Sequence, residues 1–253
     1  MPVSDFYDPL SPFYHLIYPD WPAAVRQQAD QLDGVIRETW GDRVATILDA
    51  TCGIGTQALG LAGLGYDVTA SDISPAPLER ARAEAARRGL DIRFRLADLR
   101  TLASSHERTF DLVVAYDNSV PHLLSDDEIR SVFREMYRCA RAGGGCLISV
   151  RDYDPADRNG VKVVPFGVRS DRGQRFVVFQ VWEYRGATYD LSMYFVEDRG
   201  GSECTTHVMR SVYYAIPVAR LLELMTEAGF TEVRRIDGRF FQPLIVGIKK
   251  QEA

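Results

Sequence analysis

The chain is 253 residues long and 46% hydrophobic, with 35 Asp and Glu against 30 Lys and Arg for a net charge of −5. That length supports one sizeable core with an embellishment; the acidic balance and the lack of Lys/Arg runs argue against a surface that tracks nucleic-acid phosphates, and the longest apolar runs fall far short of a membrane span. Met1-Pro2-Val3-Ser4-Asp5 has no basic or apolar leader pattern, and Cys52, Cys139, Cys146 and Cys204 have neither C-x-x-C spacing nor His partners, so a chain without signal peptide, zinc site or disulfide framework is expected, in a reducing cytoplasm.

Residues 5–21 are dense in aromatics (Phe6, Tyr7, Phe13, Tyr14, Tyr18, Trp21) and interrupted by Pro9, Pro12 and Pro19, which excludes a long helix and suggests a lid. Asp20 is placed to cap a helix running from Pro22 to Trp40, with Val25, Ala29, Leu32 and Ile36 as its buried face. Strands and helices then alternate. The expected strands are Ala45–Ala50, Asp67–Asp72, Ile92–Ala97, Phe110–Tyr116 and Cys146–Arg151. Between them lie helices over Thr56–Leu64, Pro75–Arg88 and Asp126–Arg141, the last begun by Ser125 and Glu128 as a capping box. Gly143–Gly145 reads as a turn. From residue 152 the pattern becomes alternating and β-rich over Phe176–Tyr184, Tyr189–Glu197 and Thr205–Tyr214, an antiparallel insertion. A helix Pro217–Ala228 and strands 231–237 and 243–249 close the main sheet. The expected fold is α/β: a Rossmann-like, doubly wound, mostly parallel seven-stranded sheet with a small antiparallel insertion after strand five. Four segments follow: 1–42 as lid and helix, 43–151 as ligand-binding core, 152–214 as the insertion over the acceptor site, and 215–253 completing the sheet.

The chemistry concentrates in Asp49-Ala50-Thr51-Cys52-Gly53-Ile54-Gly55 and in Asp72. Gly53 and Gly55 let backbone approach a ligand, Ala58 replaces a third glycine, and Asp72 at a strand tip can accept from ribose hydroxyls. Dinucleotide enzymes and S-adenosylmethionine (SAM) methyltransferases share this geometry. Asp49 separates them, because a carboxylate there repels a pyrophosphate but tolerates a cofactor that carries an ammonium and a sulfonium. It would sit near that ammonium or hold the turn through backbone N–H groups.

The D-x-x-C-G-x-G pattern resembles motif I of the class I SAM-dependent methyltransferases. Together with Asn118-Ser119-Val120-Pro121-His122-Leu123, Arg151-Asp152-Tyr153-Asp154 and Arg210–Tyr214, the chain from about residue 20 onward is similar to the glycine N-methyltransferases and glycine/sarcosine methyltransferases. The resemblance implies SAM as cofactor, with S-adenosylhomocysteine as product. Thr51, Gly53 and Gly55 would line its backbone path, Asp72 bind its ribose, Ile73 and Leu99 flank the adenine, and Asp98 accept from the adenine amino group. Tyr116 and His122 would contact the methionine moiety, Tyr14 would join the cofactor set, and Arg26 is the candidate for the SAM carboxylate. Asn118, Arg151, His122 and Tyr116 form the catalytic set, with Arg151 receiving an acceptor carboxylate as planar guanidinium groups do. The residues also allow an Arg151 ion pair with Asp152 or Asp154, a loop-capping Asn118, a helix-capping His122, and a Tyr153 that either lines the pocket or packs.

The expected activity is methyl transfer to the amine of a small molecule, most naturally an amino acid such as glycine or sarcosine. The alternatives are a small-molecule O-methyltransferase, with His122 as base, and a non-catalytic SAM-binding module; no metal is expected. Phe13–Trp21 and Asp152–Thr205 depart from the family pattern, and these segments would shape the acceptor pocket. Expected partners are a small acceptor with a carboxylate, without nucleic acid or membrane; family members can be dimers or tetramers, so a homo-oligomer is compatible.

Overall fold

Residues 2–153 and 160–251 are described in the computed structural model, so the expected role of Asp154 lies outside the described residues. The prolines near the N-terminus leave a short helix α1 (Ser4–Leu10) and a single 3-10 turn at Tyr14–Ile17. Helix α2 (Trp21–Trp40) starts where Asp20 accepts a hydrogen bond from the Ala23 amide at 2.9 Å, and it buries Val25, Ala29, Leu32 and Ile36.

Five strands then run parallel: β1 (Thr46–Asp49), β2 (Asp67–Asp72), β3 (Arg93–Leu96), β4 (Phe110–Ala115) and β5 (Ala140–Ser149). Helices α3 (Thr56–Gly63), α4 (Pro75–Arg88) and α5 (Asp126–Cys139) connect them. After the insertion, α6 (Val218–Glu227) leads into the last two strands, β10 (Thr231–Ile236) and β11 (Leu244–Ile248). The sheet order is β10-β11-β5-β4-β1-β2-β3, with β11 antiparallel to both neighbours. This is a doubly wound sheet. Its strand order reverses between β1 and β4, where the carboxyl ends of the strands open a crevice.

The insertion is a separate four-stranded antiparallel sheet of β6 (Val161–Asp171), β7 (Gln174–Arg185), β8 (Thr188–Asp198) and β9 (Cys204–Tyr214). Strand β6 was not anticipated, because Pro165 and Gly167 break its alternation; they fall at a bulge on an edge strand, where both are tolerated. Gly143–Gly145 is not a turn but lies inside β5. A Cβ at Gly144 would meet the Asp111 carbonyl, so the glycine is there for close strand approach. Helix α5 accordingly ends at Cys139.

Three apolar clusters result. One joins α2, α3 and α4 to one face of the main sheet, a second joins α5 and α6 to the other, and a third packs α1 and the turn after it against the insertion through Phe6, Leu10, Leu16, Val178, Leu191 and Phe195. The N-terminal segment is thus held over the crevice by the insertion. Among the described residues no helix is long and apolar enough to cross a membrane, and no three His, Cys, Asp or Glu side chains converge as metal ligands.

Candidate active site

The crevice holds a cavity of about 270 Å³, lined among others by Thr51, Gly53, Asp72, Ile73, Asp98, Leu99 and His122 and roofed by Tyr7, Tyr14 and Tyr18. The turn after β1 is built on Asp72. The Gly53 amide donates to its Oδ2 at 2.8 Å and the Ser74 amide to its Oδ1 at 2.9 Å, which locks the two strand ends together. Gly53 has φ +52°, and a Cβ there would stand 3.4 Å from Tyr14 Cε1, so the turn can take no larger residue without filling the cavity. Gly55 is off the cavity wall and starts α3 in the left-handed region.

Asp49 sits behind the turn, off the wall. Its Oδ1 accepts from the Thr51 amide at 3.3 Å while its Oδ2 has no partner among the described residues. Of the two roles open to it, turn support is the one its Oδ1 serves. Burial pushes the Asp49 carboxyl up to about 7 and the Asp72 carboxyl up to about 6, against backbone hydrogen bonds that pull both down. Asp98 reaches the cavity, but Arg100 clasps its carboxylate with backbone and guanidinium donors at 2.5–3.0 Å.

Three further expected positions also fall off this wall. Arg26 is exposed on the outer side of α2 and lines neither this cavity nor the next. Tyr116 is 1% exposed and shares the parity of Leu112 and Val114, so it points into the core beside α2. Asn118 is fully buried: its Oδ1 accepts from the Arg151 amide at 2.9 Å, and its amide donates to Tyr153 Oη at 2.9 Å. It ties the ends of β4 and β5 together and lines neither cavity.

His122 does reach the wall, in a 3-10 turn at Val120–His122, while Ser125 and Glu128 cap α5. The imidazole is joined to Tyr7 Oη at 2.8 Å, to Ser211 Oγ at 3.2 Å, and lies against the Tyr213 ring at 4.0 Å between centroids. Burial and the nearby Arg151 charge push it down to about 3, so it is neutral near pH 7.

A second cavity of about 620 Å³ continues beyond Tyr7, Tyr14, Tyr18 and Asp117, which line both. Its walls include Phe6, Phe166, Trp182, Met193, Tyr213 and Phe240. Arg151 enters it from the end of β5. The guanidinium donates to Tyr189 Oη at 3.1 Å and lies 4.9 Å from the Trp182 ring centre. Asp152 does not pair with it; Asp152 pairs with Arg235 at 2.6 Å. Tyr153 is buried in hydrogen bonds to Asn118 and Tyr189 and packs.

Asp117 was missed by sequence reasoning. It has φ +54° and Asn118 has φ +63°, consecutive left-handed non-glycine residues that cost about 1–3 kcal/mol each unless held. They are held: the Asp117 amide donates to Ser149 Oγ at 2.7 Å and the Asn118 amide to the Ser149 carbonyl at 3.0 Å. The twist turns Asp117, not Tyr116, toward the crevice. The available signal was an acid directly after a central parallel strand.

A model of the methyltransferase domain family matches residues 47–144. The chain is 31% identical over 135 residues to the glycine/sarcosine N-methyltransferase of Parasynechococcus marenigrum, covering 53% of this chain and 47% of that one. It therefore spans about half the length of this relative. Among solved structures it is similar to DesVI of Streptomyces venezuelae, with a TM-score of 0.79, 20% identity and 98% of both chains covered. It is also similar to CalS10, an amino pentose methyltransferase of Micromonospora echinaspora solved with SAM bound, with a TM-score of 0.76, 19% identity and 89% and 92% covered. The fold is shared with these methyltransferase structures, and residues 47–144 match the methyltransferase domain family. SAM is the cofactor bound in CalS10, and the first cavity fits it: a glycine turn admits no side chain, Thr51 Oγ1 is buried without a partner among the described residues, and the Asp72 carboxylate sits beside an apolar slot of Ile73 and Leu99.

Proposed function

We propose that the protein is a SAM-dependent N-methyltransferase acting on a small carboxylate-bearing amine, an amino acid with an apolar side chain. Thr51 and Gly53 would border the methionine moiety, Asp72 accept from the ribose, and Ile73 and Leu99 flank the adenine. SAM, when bound, supplies an electrophilic methyl group whose C–S electron pair leaves with sulfur. The chain's task is then to hold a neutral nitrogen about 3 Å from that carbon, in line with the sulfur.

One observation carries the acceptor class. Arg151 presents a partly buried guanidinium to the second cavity, and among the described residues no carboxylate lies within 4.0 Å of it. A cation whose direct contacts among the described residues are a phenol and aromatic faces is matched by a ligand carboxylate. Glycine and sarcosine, the acceptors named for the Parasynechococcus relative, would leave most of about 620 Å³ empty. Cavities of about 300–1,000 Å³ suit larger ligands, and the aromatic walls favour an apolar side chain. Tyr7, Tyr14 and Tyr18, all pushed up by burial and so protonated, close the roof against water. Transfer to a phenol would require a base, and an imidazole held at about 3 is poorly matched to that task near pH 7.

Arg151→Ala tests the reading. It should raise the acceptor KM by about tenfold or more while the SAM KM moves by less than about threefold. Equal rises in both would count against carboxylate recognition.

A further inference from the structure

Asp117 has no place in the cofactor turn, yet it stands where the two cavities meet. Its Oδ2 accepts from Tyr14 Oη at 3.2 Å and from Tyr18 Oη at 3.5 Å, while its Oδ1 accepts from none of the described residues. Arg151, the charge opposite, lines the same second cavity from the end of β5. The second cavity therefore carries a carboxylate, on the part of its wall shared with the first cavity, and a guanidinium, among apolar surfaces. That is the mirror of an amino acid zwitterion.

Resting on the proposed N-methyltransferase activity, we propose that Asp117 is the residue that selects an amine and prepares it: Oδ1 receives the acceptor ammonium while Arg151 holds the carboxylate. One N–H bond of the ammonium breaks and its proton passes to Asp117 Oδ1, forming an O–H bond and leaving the lone pair on nitrogen. The buried ion pair thereby becomes two neutral groups, the direction that a low-polarity pocket favours. The nitrogen then faces the cofactor cavity, and the proton leaves Asp117 for solvent when the product departs. The groups around Asp117 suit this exchange: Tyr14 and Tyr18 from the roof are neutral donors that orient the carboxylate, and burial raises its pKa while Arg151 and the two phenols lower it. A purely structural acid would have no reason to hold an open oxygen at the junction of two cavities on a left-handed backbone.

The test uses L-phenylalanine and L-phenyllactate, which differ only in amine against hydroxyl, titrated into protein loaded with S-adenosylhomocysteine. Wild type should bind phenylalanine at least about tenfold more tightly, and Asp117→Asn should erase that preference while leaving phenyllactate and cofactor affinity within about threefold. Asn tolerates the left-handed conformation better than most residues, and Asp117→Gly provides a second variant without backbone strain. Both should also lower kcat/KM for the amine on the order of 100-fold and shift its rising limb to higher pH, a change that a packing role would not produce. An undiminished preference in both variants overturns the role of Asp117 while N-methyl transfer by wild type keeps the activity standing. Binding of neither probe by wild type contradicts the amino acid reading, and the inference with it.

Discussion

The backbone amide of Arg151 donates to the side-chain oxygen of Asn118 across 2.9 Å, so the two central strand ends are joined by one buried amide. Together with the two Ser149 bonds that hold the left-handed exit of β4, which turns Asp117 into the crevice, that contact fixes the starting point of the Arg151 side chain. The hydrogen bonds of Asn118 give it a positioning role.

Asn118→Ala should therefore act on stability. It strands the Arg151 amide and removes a partner of Tyr153, a loss of about 1–3 kcal/mol read by urea denaturation. Acceptor turnover should fall with it, whereas SAM affinity should stay within about threefold. A variant as stable as wild type would contradict the bracket.

Asp72→Ala removes the acceptor of both the Gly53 and the Ser74 amides, and with it the proposed ribose partner. SAM affinity should drop by about 1–3 kcal/mol in titration calorimetry; unchanged affinity would take Asp72 out of the site.

The same turn predicts a pH dependence. Folding raises the Asp72 and Asp49 carboxyls to about 6 and about 7, against about 4 in the unfolded chain. A raised carboxyl contributes stability that is full below about pH 4 and is lost as pH rises through its folded value. Between pH 4 and 7 these two groups should thus make the cofactor-free protein less stable. Asp49→Asn should recover about 1–3 kcal/mol at pH 8. Thermal denaturation of cofactor-free wild type and variant across that range checks both the sign and the assignment, and a variant no more stable than wild type at pH 8 would refute it.

His122 works in the opposite sense. Its folded value of about 3 lies below the usual 6.5, so its contribution is present above pH 6.5 and is lost as pH falls toward 3. Activity should show no limb from its titration between pH 5.5 and 8. His122→Gln should lower kcat without changing the shape of that profile; a limb that disappears in the variant would make His122 a titrating base after all.

The frame of the molecule was legible because hydrophobic period and turn chemistry agree: Asp67–Asp72 and Pro75–Arg88 were read to the residue. Ile73, Leu99, Thr51 and Gly53 also come together on one wall, since each lies within four residues of a strand's carboxyl end. What escaped depends on single backbone angles. Strand parity sends Tyr116 into the core, two left-handed residues bring Asp117 out in its place, and one step of helix phase leaves Arg26 in solvent. The wall of the second cavity draws on α1, the insertion and the last loop, a meeting of Phe6, Trp182 and Phe240 that no local pattern encodes.

The most direct measurement is incubation with methyl-labelled SAM against a panel of glycine, sarcosine, apolar amino acids, their hydroxy acids, amino sugars and phenols, with products read by mass spectrometry. Label on the nitrogen of apolar amino acids, ahead of glycine and sarcosine, is the predicted result. Label confined to hydroxyl groups, or none on any amino acid while SAM is bound, would contradict it.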